Sequence, residues 1–377
     1  MYKKFIALLL IFTGEMLFAD TDFSYYATTQ NEAAVAAQLD SITNPSEVLT
    51  TVLDELLALP VSEIPDMLGK MSGEQYTTMI PSNQYATRRF IRHVYTAVSN
   101  SVHPYICNDE CNADLWAQVG GGRDFLRGNH NSQGYKSDYW DISVGAQTLF
   151  TQNFLIGIAG NYAQDHHDFN QGGCTTWNDA QGAIYGACRT DLFYIFADIM
   201  GGGSRSTFKT DTFLQKTKSH PQVFQGTFYG ELGVDLCILD LLVQPFIGVE
   251  IGRYKSKEID EEGGGVLNLR IENKTKNTLN TSLGAHITSD YDAIRFRGDI
   301  AWQHCFDPLK CNMENQFLAF GSPFFVKGIN QDQDGVWGVF NLSTNTSDIF
   351  NLYAEFIGEW WPQWCAYGFD FGCDVRF

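Results

Sequence analysis

Two short segments carry side chains that could bind a metal ion. His166-His167-Asp168 offers imidazole and carboxylate groups, but adjacent histidines without a spaced third ligand are a weak zinc signal. Residues 330–335 (Asn-Gln-Asp-Gln-Asp-Gly) place oxygen ligands at every second position before a glycine, as the start of a calcium loop does. The twelfth position of that motif is Asn341 instead of glutamate, so the motif is incomplete. We interpret both segments as polar loops and predict no metal and no cofactor.

The chain contains nine cysteines, which could form disulfides or a zinc site. Near neighbours in the sequence give three candidate disulfides: Cys107 with Cys111, Cys174 with Cys188, and Cys305 with Cys311. An exported chain favours a small disulfide over half of a zinc site at the first pair. A barrel enzyme would need a nucleophile and a base within hydrogen-bond reach, but the Gly-x-Ser-x-Gly motif does not occur and no Asp-His pair stands out at a plausible rim, so we predict that the chain is not an enzyme.

The N-terminus has the features of a secretory signal peptide, residues 1–19. Two lysines precede the apolar run of residues 5–12, and Ala19 suits the last position before cleavage. Beyond it, the longest apolar stretch, residues 237–251, is interrupted by polar residues and a proline. It falls short of the roughly 18 apolar residues of a transmembrane helix. An exported chain of this kind is either soluble outside the cytoplasm or a β-barrel.

Composition narrows the class further. The formal net charge of −19 argues against a nucleic-acid partner, because binding to phosphates needs a basic surface. Aromatic residues reach 14%, charged residues only 18%, and there are 35 glycines. This mixture is typical of a chain with many strands and turns.

Residues 20–112 form a helical lead. Alanine-rich residues 31–40 and the stretch from Ser46 to the helix-ending Pro60 have helical patterns. A third helix is predicted over residues 84–102, and four of its residues form a basic cluster: Arg88, Arg89, Arg92 and His93. The cluster could be the solvated face of a small helical domain, which is the usual place for such charges.

Residues 113–377 alternate as β-strands do. The predicted strands are 114–122, 137–149, 153–164, 189–201, 203–213, 225–237, 243–255, 278–288, 293–305, 335–343, 350–361 and 366–377. Short turns alternate with longer connections, apart from the short last hairpin. An even strand number with short turns at one end and long loops at the other predicts an all-β, antiparallel outer-membrane barrel.

The final strand shows the alternation best. One side carries apolar residues: Tyr367, Phe369, Phe371, Val375 and Phe377. The other side carries polar residues, as expected for a strand with lipid on one face and a wet lumen on the other. The same alternation gives a candidate acidic lumen face: Glu231, Asp235, Glu250, Asp299, Asp370 and Asp374.

These features resemble the translocator (autotransporter) β-domain of Gram-negative type V secretion. The resemblance covers about residues 30–377 and is carried by motifs in a fixed order. They are residues 31–40, Leu68-Gly-Lys-Met-Ser-Gly-Glu-Gln-Tyr76, Gly230-Glu-Leu-Gly233, residues 244–250, Glu262-Gly-Gly-Gly265, Thr281-Ser-Leu-Gly-Ala285 and the terminal Val375-Arg-Phe377.

The resemblance implies a twelve-stranded barrel in the Gram-negative outer membrane with a helix threading its lumen. It also implies that the barrel-assembly machinery recognises the terminal aromatic strand. We expect residues 84–102 to be the lumen helix, with its basic cluster neutralising the acidic face, because buried charges need counter-charges.

The family normally carries a large passenger before the helical lead, and only about ten residues separate Ala19 from residue 30. We therefore expect a surface-exposed envelope protein in contact with outer-membrane lipid. Its outer loops would contact envelope or host-surface proteins. The alternative is a narrow diffusion pore.

Overall fold

The computed structural model describes residues 22–101, 113–151, 153–213, 215–291, 293–307, 311–330, 332–344 and 349–377. The predicted signal peptide, Cys107 and Cys111 lie outside these ranges. None of the helices described is long and apolar enough to cross a membrane.

Four α-helices precede the strands: α1 (Gln30–Asp40), α2 (Glu47–Leu57), α3 (Ile64–Lys70) and α4 (Met79–Ser101). Short 3₁₀ turns lie at Phe23–Tyr25 and Glu74–Thr78. Thr29 and Glu32 form a reciprocal capping box at the start of α1, which satisfies two free backbone N–H groups. The predicted interval 84–102 corresponds to α4, which begins earlier, at Met79.

Twelve long strands follow. They are β1 (Ala113–Arg127), β2 (Gly134–Thr151), β3 (Phe154–Phe169), β4 (Cys174–Arg189), β5 (Phe193–Asp211), β6 (Gln222–Val234), β7 (Leu241–Ser256), β8 (Lys274–Tyr291), β9 (Ile294–Cys305), β10 (Asp334–Thr344), β11 (Phe350–Trp360) and β12 (Trp364–Arg376).

The strands form a closed antiparallel ring. Each pairs with its neighbours in the sequence, and β1 pairs with β12 in a register that puts Leu115 opposite Val375. Closure removes the unpaired sheet edges that a membrane does not tolerate. The predicted twelve-stranded antiparallel barrel with a preceding helical segment is confirmed.

The prediction was wrong in one region. The predicted strands 189–201 and 203–213 are the single strand β5, and β4 lies in the predicted loop 164–188. The run Gly201-Gly-Gly203 suggested a turn, but it lies in mid-strand. A Cβ atom on Gly202 would overlap the backbone of Ala180 on β4, so this glycine permits the close approach of β4 and β5. The two errors compensate, which is why the strand count is correct.

The surface around the barrel is apolar and its interior is polar. Outward side chains such as Ile158, Leu283 and Phe371 are about 60% exposed to the surroundings of the protein, at 61%, 60% and 61%. The residues between them on the same strands point inward and are mostly buried and polar. This is the alternation of a membrane-embedded barrel.

The two ends of the barrel differ. At the long-loop end, the connections after β7 and β9 form a small antiparallel sheet from the short strands Ile259–Asp260, Leu269–Ile271, Asn312–Phe317 and Phe324–Lys327. Residues 22–78, which we call the cap, pack on these loops. From the cap, α4 runs through the lumen, and β1 then begins at the short-turn end.

Candidate functional site in the barrel lumen

Helix α4 is enclosed by the barrel along its length. All of its residues except Arg92, Tyr95 and Ser99 are buried. Two of its hydroxyl groups donate within the helix, Ser82 to the Thr78 carbonyl (2.9 Å) and Thr87 to the Asn83 carbonyl (3.0 Å), and Thr96 donates to Glu355 on β11 (2.8 Å). A helix with this many polar side chains can be buried in the polar lumen, whereas an apolar core would leave its polar groups without hydrogen-bond partners.

One face of α4 is apolar. Phe90, Val94 and Ala97 are buried in a cluster with strand side chains that include Leu155 and Phe196. This contact gives the helix a packed side, and the opposite side carries its charges. The helix is thus positioned by shape on one face and by ion pairs on the other.

The two buried arginines at the centre of α4 each bridge two strands. Arg88 lies 3.3 Å from Glu250 on β7 and 3.2 Å from Glu359 on β11. Arg89 lies 3.1 Å from Asp141 on β2 and 2.7 Å from Asp165 on β3.

Further contacts fix the same region of the helix. The Arg89 guanidinium also lies 4.0 Å from the centre of the Tyr139 ring, a cation–π contact. Arg92 forms an ion pair with Glu359. Tyr85 stacks on Trp364 of β12 with ring centres 3.7 Å apart.

His93 lies between two carboxylates. Its Nε2 is 3.1 Å from Asp370 Oδ2 and 3.7 Å from Asp141 Oδ1, and its Nδ1 is 2.8 Å from Ser143 Oγ. Gln118 donates to the same Asp370 oxygen at 3.0 Å. This arrangement connects α4 to β2 and β12 across β1.

A second buried histidine, His286 on β8, is arranged differently. Its Nδ1 lies 2.8 Å from Asp299 and its Nε2 lies 3.0 Å from Glu231, so each ring nitrogen has its own carboxylate. The imidazole stacks on Phe246 and Tyr95, with ring centres 4.3 Å and 4.7 Å away.

The predicted acidic residues separate into two groups. Glu250 and Asp370 contact the basic cluster of α4 directly. The others are held by strand residues: Glu231 and Asp299 by His286, Asp235 by Arg189 (2.8 Å) and Asp374 by Asn351 (2.9 Å).

Several partners were missed from the sequence. Glu355 and Glu359 follow the alternation of β11, so the pattern could have found both. Asp165 was placed in a predicted loop. Arg297 donates to Glu355 (2.9 Å) and to Thr96 of α4 (2.8 Å), so a strand also supplies positive charge to the lumen.

The cap buries an apolar core against the loops. Its buried centre contains Val35, Ala36 and Leu68 from the helices, with Phe208 from β5 and Val326 from the long loop after β9. These five side chains are essentially inaccessible to solvent.

Polar residues join the cap to the loops. Asn31 accepts from the Lys327 amide (2.8 Å) and donates to the Lys327 carbonyl (3.0 Å), which closes that strand edge as a neighbouring strand would. Glu74 accepts from the Gln133 amide (3.1 Å). Burial raises the pKa of the Glu74 carboxyl to about 7.

The described side chains of the two segments considered as metal sites do not form one. His166 and His167 are consecutive residues of β3 and point to opposite faces: His166 is exposed beside Thr176, whereas His167 is buried against Tyr135. In the calcium-like segment, Asp334 accepts from His304 (2.8 Å) and from Trp302 (3.1 Å).

Two of the candidate disulfides are not formed. Cys174, Cys188 and Cys305 have free thiols. Cys174 and Cys188 lie near opposite ends of β4, and fourteen residues at about 3.4 Å each separate them by roughly 48 Å, far beyond disulfide reach. The Cys305 thiol, buried at the end of β9, is also free, so the pair predicted with Cys311 is not formed.

The candidate assembly residues face outward on β12. Phe369 and Phe371 are exposed at 56% and 61%, Tyr367 at 41% and Phe377 at 61%, whereas Val375 is half-buried. Their side chains form an apolar strip on the strand that closes the barrel beside β1.

Comparison with known proteins defines the class. The autotransporter beta-domain family matches residues 115–356, and the chain belongs to that family. The translocator domain of autotransporter NalP from Neisseria meningitidis superimposes with a TM-score of 0.64 at 11% identity, covering 78% of this chain and 98% of that domain. The beta domain of the Bordetella autotransporter BrkA has a TM-score of 0.50 at 12% identity, covering 71% of this chain and all of that domain.

Two curated relatives give the wider context. An extracellular serine protease of Serratia marcescens is 20% identical over a match of 369 residues. The match covers 84% of this chain and 35% of that protein. Outer membrane protein B of Rickettsia prowazekii (strain Madrid E) is 22% identical over 235 residues, 58% of this chain and 14% of that protein. The chain thus spans about a third of the length of the Serratia relative. It has the translocator β-barrel fold of autotransporters and is located in the Gram-negative outer membrane.

Proposed function

We propose that this barrel is a sealed surface-display protein, whose lumen is closed by α4 and whose outer mouth carries the cap as an exposed interaction domain. One observation carries the proposal: α4 is buried from the loop end to the turn end of the lumen, with its charges paired to the wall. The cap at its outer end exposes apolar side chains such as Tyr25 (83%) and Val61 (64%). Envelope or host-surface proteins are the partners we propose for this surface.

The space left beside α4 favours a seal over a pore. The volume open to the centres of water-sized molecules is about 40 Å³ near Tyr95 and His286, and about 50 Å³ near Asn100. A water molecule needs at least about 10–15 Å³ on this measure, so each cavity holds a few waters at most. The same cavities support the second candidate function, a narrow diffusion pore. In that case small shifts of α4 would open a path through the lumen.

Conductance in planar bilayers tests the seal. We would compare the full barrel, a variant lacking residues 22–78, and a variant lacking residues 22–101. Closure by α4 predicts that the first two conduct little and that the third conducts strongly. Steady conductance by the full barrel would favour the pore, and a conducting variant without residues 22–78 would assign the seal to the cap.

Surface labelling tests the display. An epitope inserted beside Val61 should be accessible to antibody on intact cells, whereas one beside Leu239, which is 95% exposed in a short turn, should need a permeabilised outer membrane. The reverse pattern would contradict the proposed orientation.

We also propose that β12 is the segment that the barrel-assembly machinery recognises. The supporting feature is the exposed aromatic strip that ends at Phe377. Phe377→Ser should lower the amount of folded barrel in outer-membrane fractions, and Phe150→Ser, at a residue 78% exposed on β2, is the matched control. Equal insertion of both variants would contradict the proposal.

A further inference from the structure

Three side chains converge at the centre of the lumen with potential metal-ligand atoms. Within the described residues, His93, Asp141 and Asp370 form a group whose ligand atoms all lie within 4.8 Å of one another. His93 comes from α4, Asp141 from β2 and Asp370 from β12. All three side chains are at least 97% buried.

The spacing suits a small divalent cation. Zinc binds nitrogen and carboxylate oxygen at about 2.0–2.2 Å, which puts tetrahedral ligand atoms about 3.3–3.6 Å apart. The Nε2 of His93 lies 3.1 Å from Asp370 Oδ2 and 3.7 Å from Asp141 Oδ1. An ion could therefore contact all three with small side-chain adjustments.

The backbone leaves room for this group. Asp141 and Asp370 flank Gly120 on the two neighbouring strands. A Cβ atom at Gly120 would overlap Asp370 Oδ1 and lie 2.8 Å from Asp141 Oδ1. Any larger residue at position 120 would push the carboxylates apart.

The ligand atoms are oriented by outer contacts. The hydrogen bond between Ser143 and His93 Nδ1 leaves Nε2 facing the carboxylates, and Gln118 and Arg89 hold Asp370 and Asp141. Such second contacts are typical of metal sites. Asp141 Oδ1 is buried and has no hydrogen-bond partner among the described atoms, so it is an acceptor aimed at the group.

We propose that His93, Asp141 and Asp370 bind a divalent transition-metal ion such as Zn²⁺, with water completing its coordination. The ion would connect the lumen helix to strands on both sides of β1, and so to the β12–β1 seam where the barrel closes. The competing arrangement is an imidazolium ion paired with two carboxylates and no metal.

Metal binding to the folded, untagged barrel tests the proposal. Zn²⁺ titration by calorimetry should give a single buried equivalent per chain, and Co²⁺ should give the visible absorption of a tetrahedral site. Both signals should disappear in His93→Gln and Asp370→Asn. They should persist in His286→Gln, because the two carboxylates at His286 lie on different ring nitrogens and cannot share one ion with it.

Folding is checked separately by the anomalous gel mobility of each unboiled variant. If His93→Gln fails this check, Asp370→Asn and Asp141→Asn, which keep the side-chain volume, decide the result. The proposal is overturned if the folded wild type binds no Zn²⁺, or if its binding survives in folded variants of the three residues. Removal of the metal by chelation should lower the melting temperature of the wild type and leave that of the folded ligand variants unchanged.

Discussion

The lumen helix and the cap are consecutive parts of one segment, yet they are buried by opposite means. Helix α4 packs one apolar face, but its other face is held by charges: Arg88 and Arg89 each contact two carboxylates, and the side chains involved are at least nine-tenths buried. The cap is held by an apolar core centred on Leu68 and Val35, with a few polar contacts at its edge.

The difference follows from what covers each part. Barrel strands that face lipid on one side must present their polar residues inward, so anything inside the lumen meets polar groups. Loops above the membrane are free of that alternation and can turn apolar side chains toward the cap. A buried ion pair adds little net stability but is costly to break, so we infer that the lumen charges mainly fix the register of α4.

Arg89→Ala should produce the largest effect. It leaves Asp141 and Asp165 buried without their counter-charge, which we expect to destabilise the barrel by about 3–5 kcal/mol. The measurement is urea unfolding in detergent followed by tryptophan fluorescence. Arg123→Ala is the control, because its ion pair with Asp138 is exposed and should be dispensable. Equal stability of the two variants would mean that the lumen charges are not coupled to folding.

Leu68→Ala should open the cap and leave the barrel closed. Deleting a fully buried leucine side chain costs about 2–5 kcal/mol, and here the loss falls on the cap alone. Limited proteolysis should release residues 22–78 faster while the unboiled gel mobility stays that of a folded barrel. Val48→Ala, at a residue 62% exposed, should behave as wild type. A barrel that unfolds together with the cap would show that the two parts are one cooperative unit.

The cap should loosen as pH rises. Burial raises the pKa of Glu74 to about 7 from an ordinary 4.5, so the folded cap favours the protonated carboxyl. The stabilisation is complete below pH 4.5 and is lost as pH rises through 7, an effect of about 2 kcal/mol between pH 5.5 and 8. The protection factors of the cap amides, corrected for the faster intrinsic exchange at higher pH, should therefore be lower at pH 8. Glu74→Gln should remove most of this difference, and a pH response that persists in it would implicate other groups.

Thr29→Ala should give the smallest effect. It removes the hydroxyl that caps α1, where Thr29 Oγ1 accepts from the Glu32 amide at 3.2 Å, and should cost about 1 kcal/mol in the cap. Exchange rates of the first turn of α1 report it. Thr51→Ala, on the exposed side of α2, is the control and should not destabilise the cap. No change at Thr29 would mean that packing alone holds the helix start.

Much of the barrel could be predicted because a two-residue period is a local property. The alternation of β12 placed Phe369 and Phe371 outside and Asp370 and Asp374 inside, and the structure has the same sides. The same rule failed where composition misled it. Three consecutive glycines in β5 suggested a turn, although they lie in mid-strand and Gly202 allows the close approach of β4.

The candidate site was predictable only in part. The basic cluster on α4 was visible because its residues are close in sequence, and Glu250 and Asp370 because they alternate with apolar residues. The sequence did not predict which carboxylates each arginine contacts. Arg89 contacts Asp165 across 76 positions and Arg88 contacts Glu359 across 271 positions, and no local pattern fixes such distances.

The sequence by itself determined the class: strand periodicity and composition specified a lipid-facing barrel with a polar interior and a helical lead. Only the tertiary structure decided where that lead goes, because the route depends on barrel closure and on long-range contacts. It placed residues 22–78 on the long loops and α4 inside the lumen. It also brought His93, Asp141 and Asp370 together from one helix and two strands, a convergence that depends on the register of β1 with both of its neighbours.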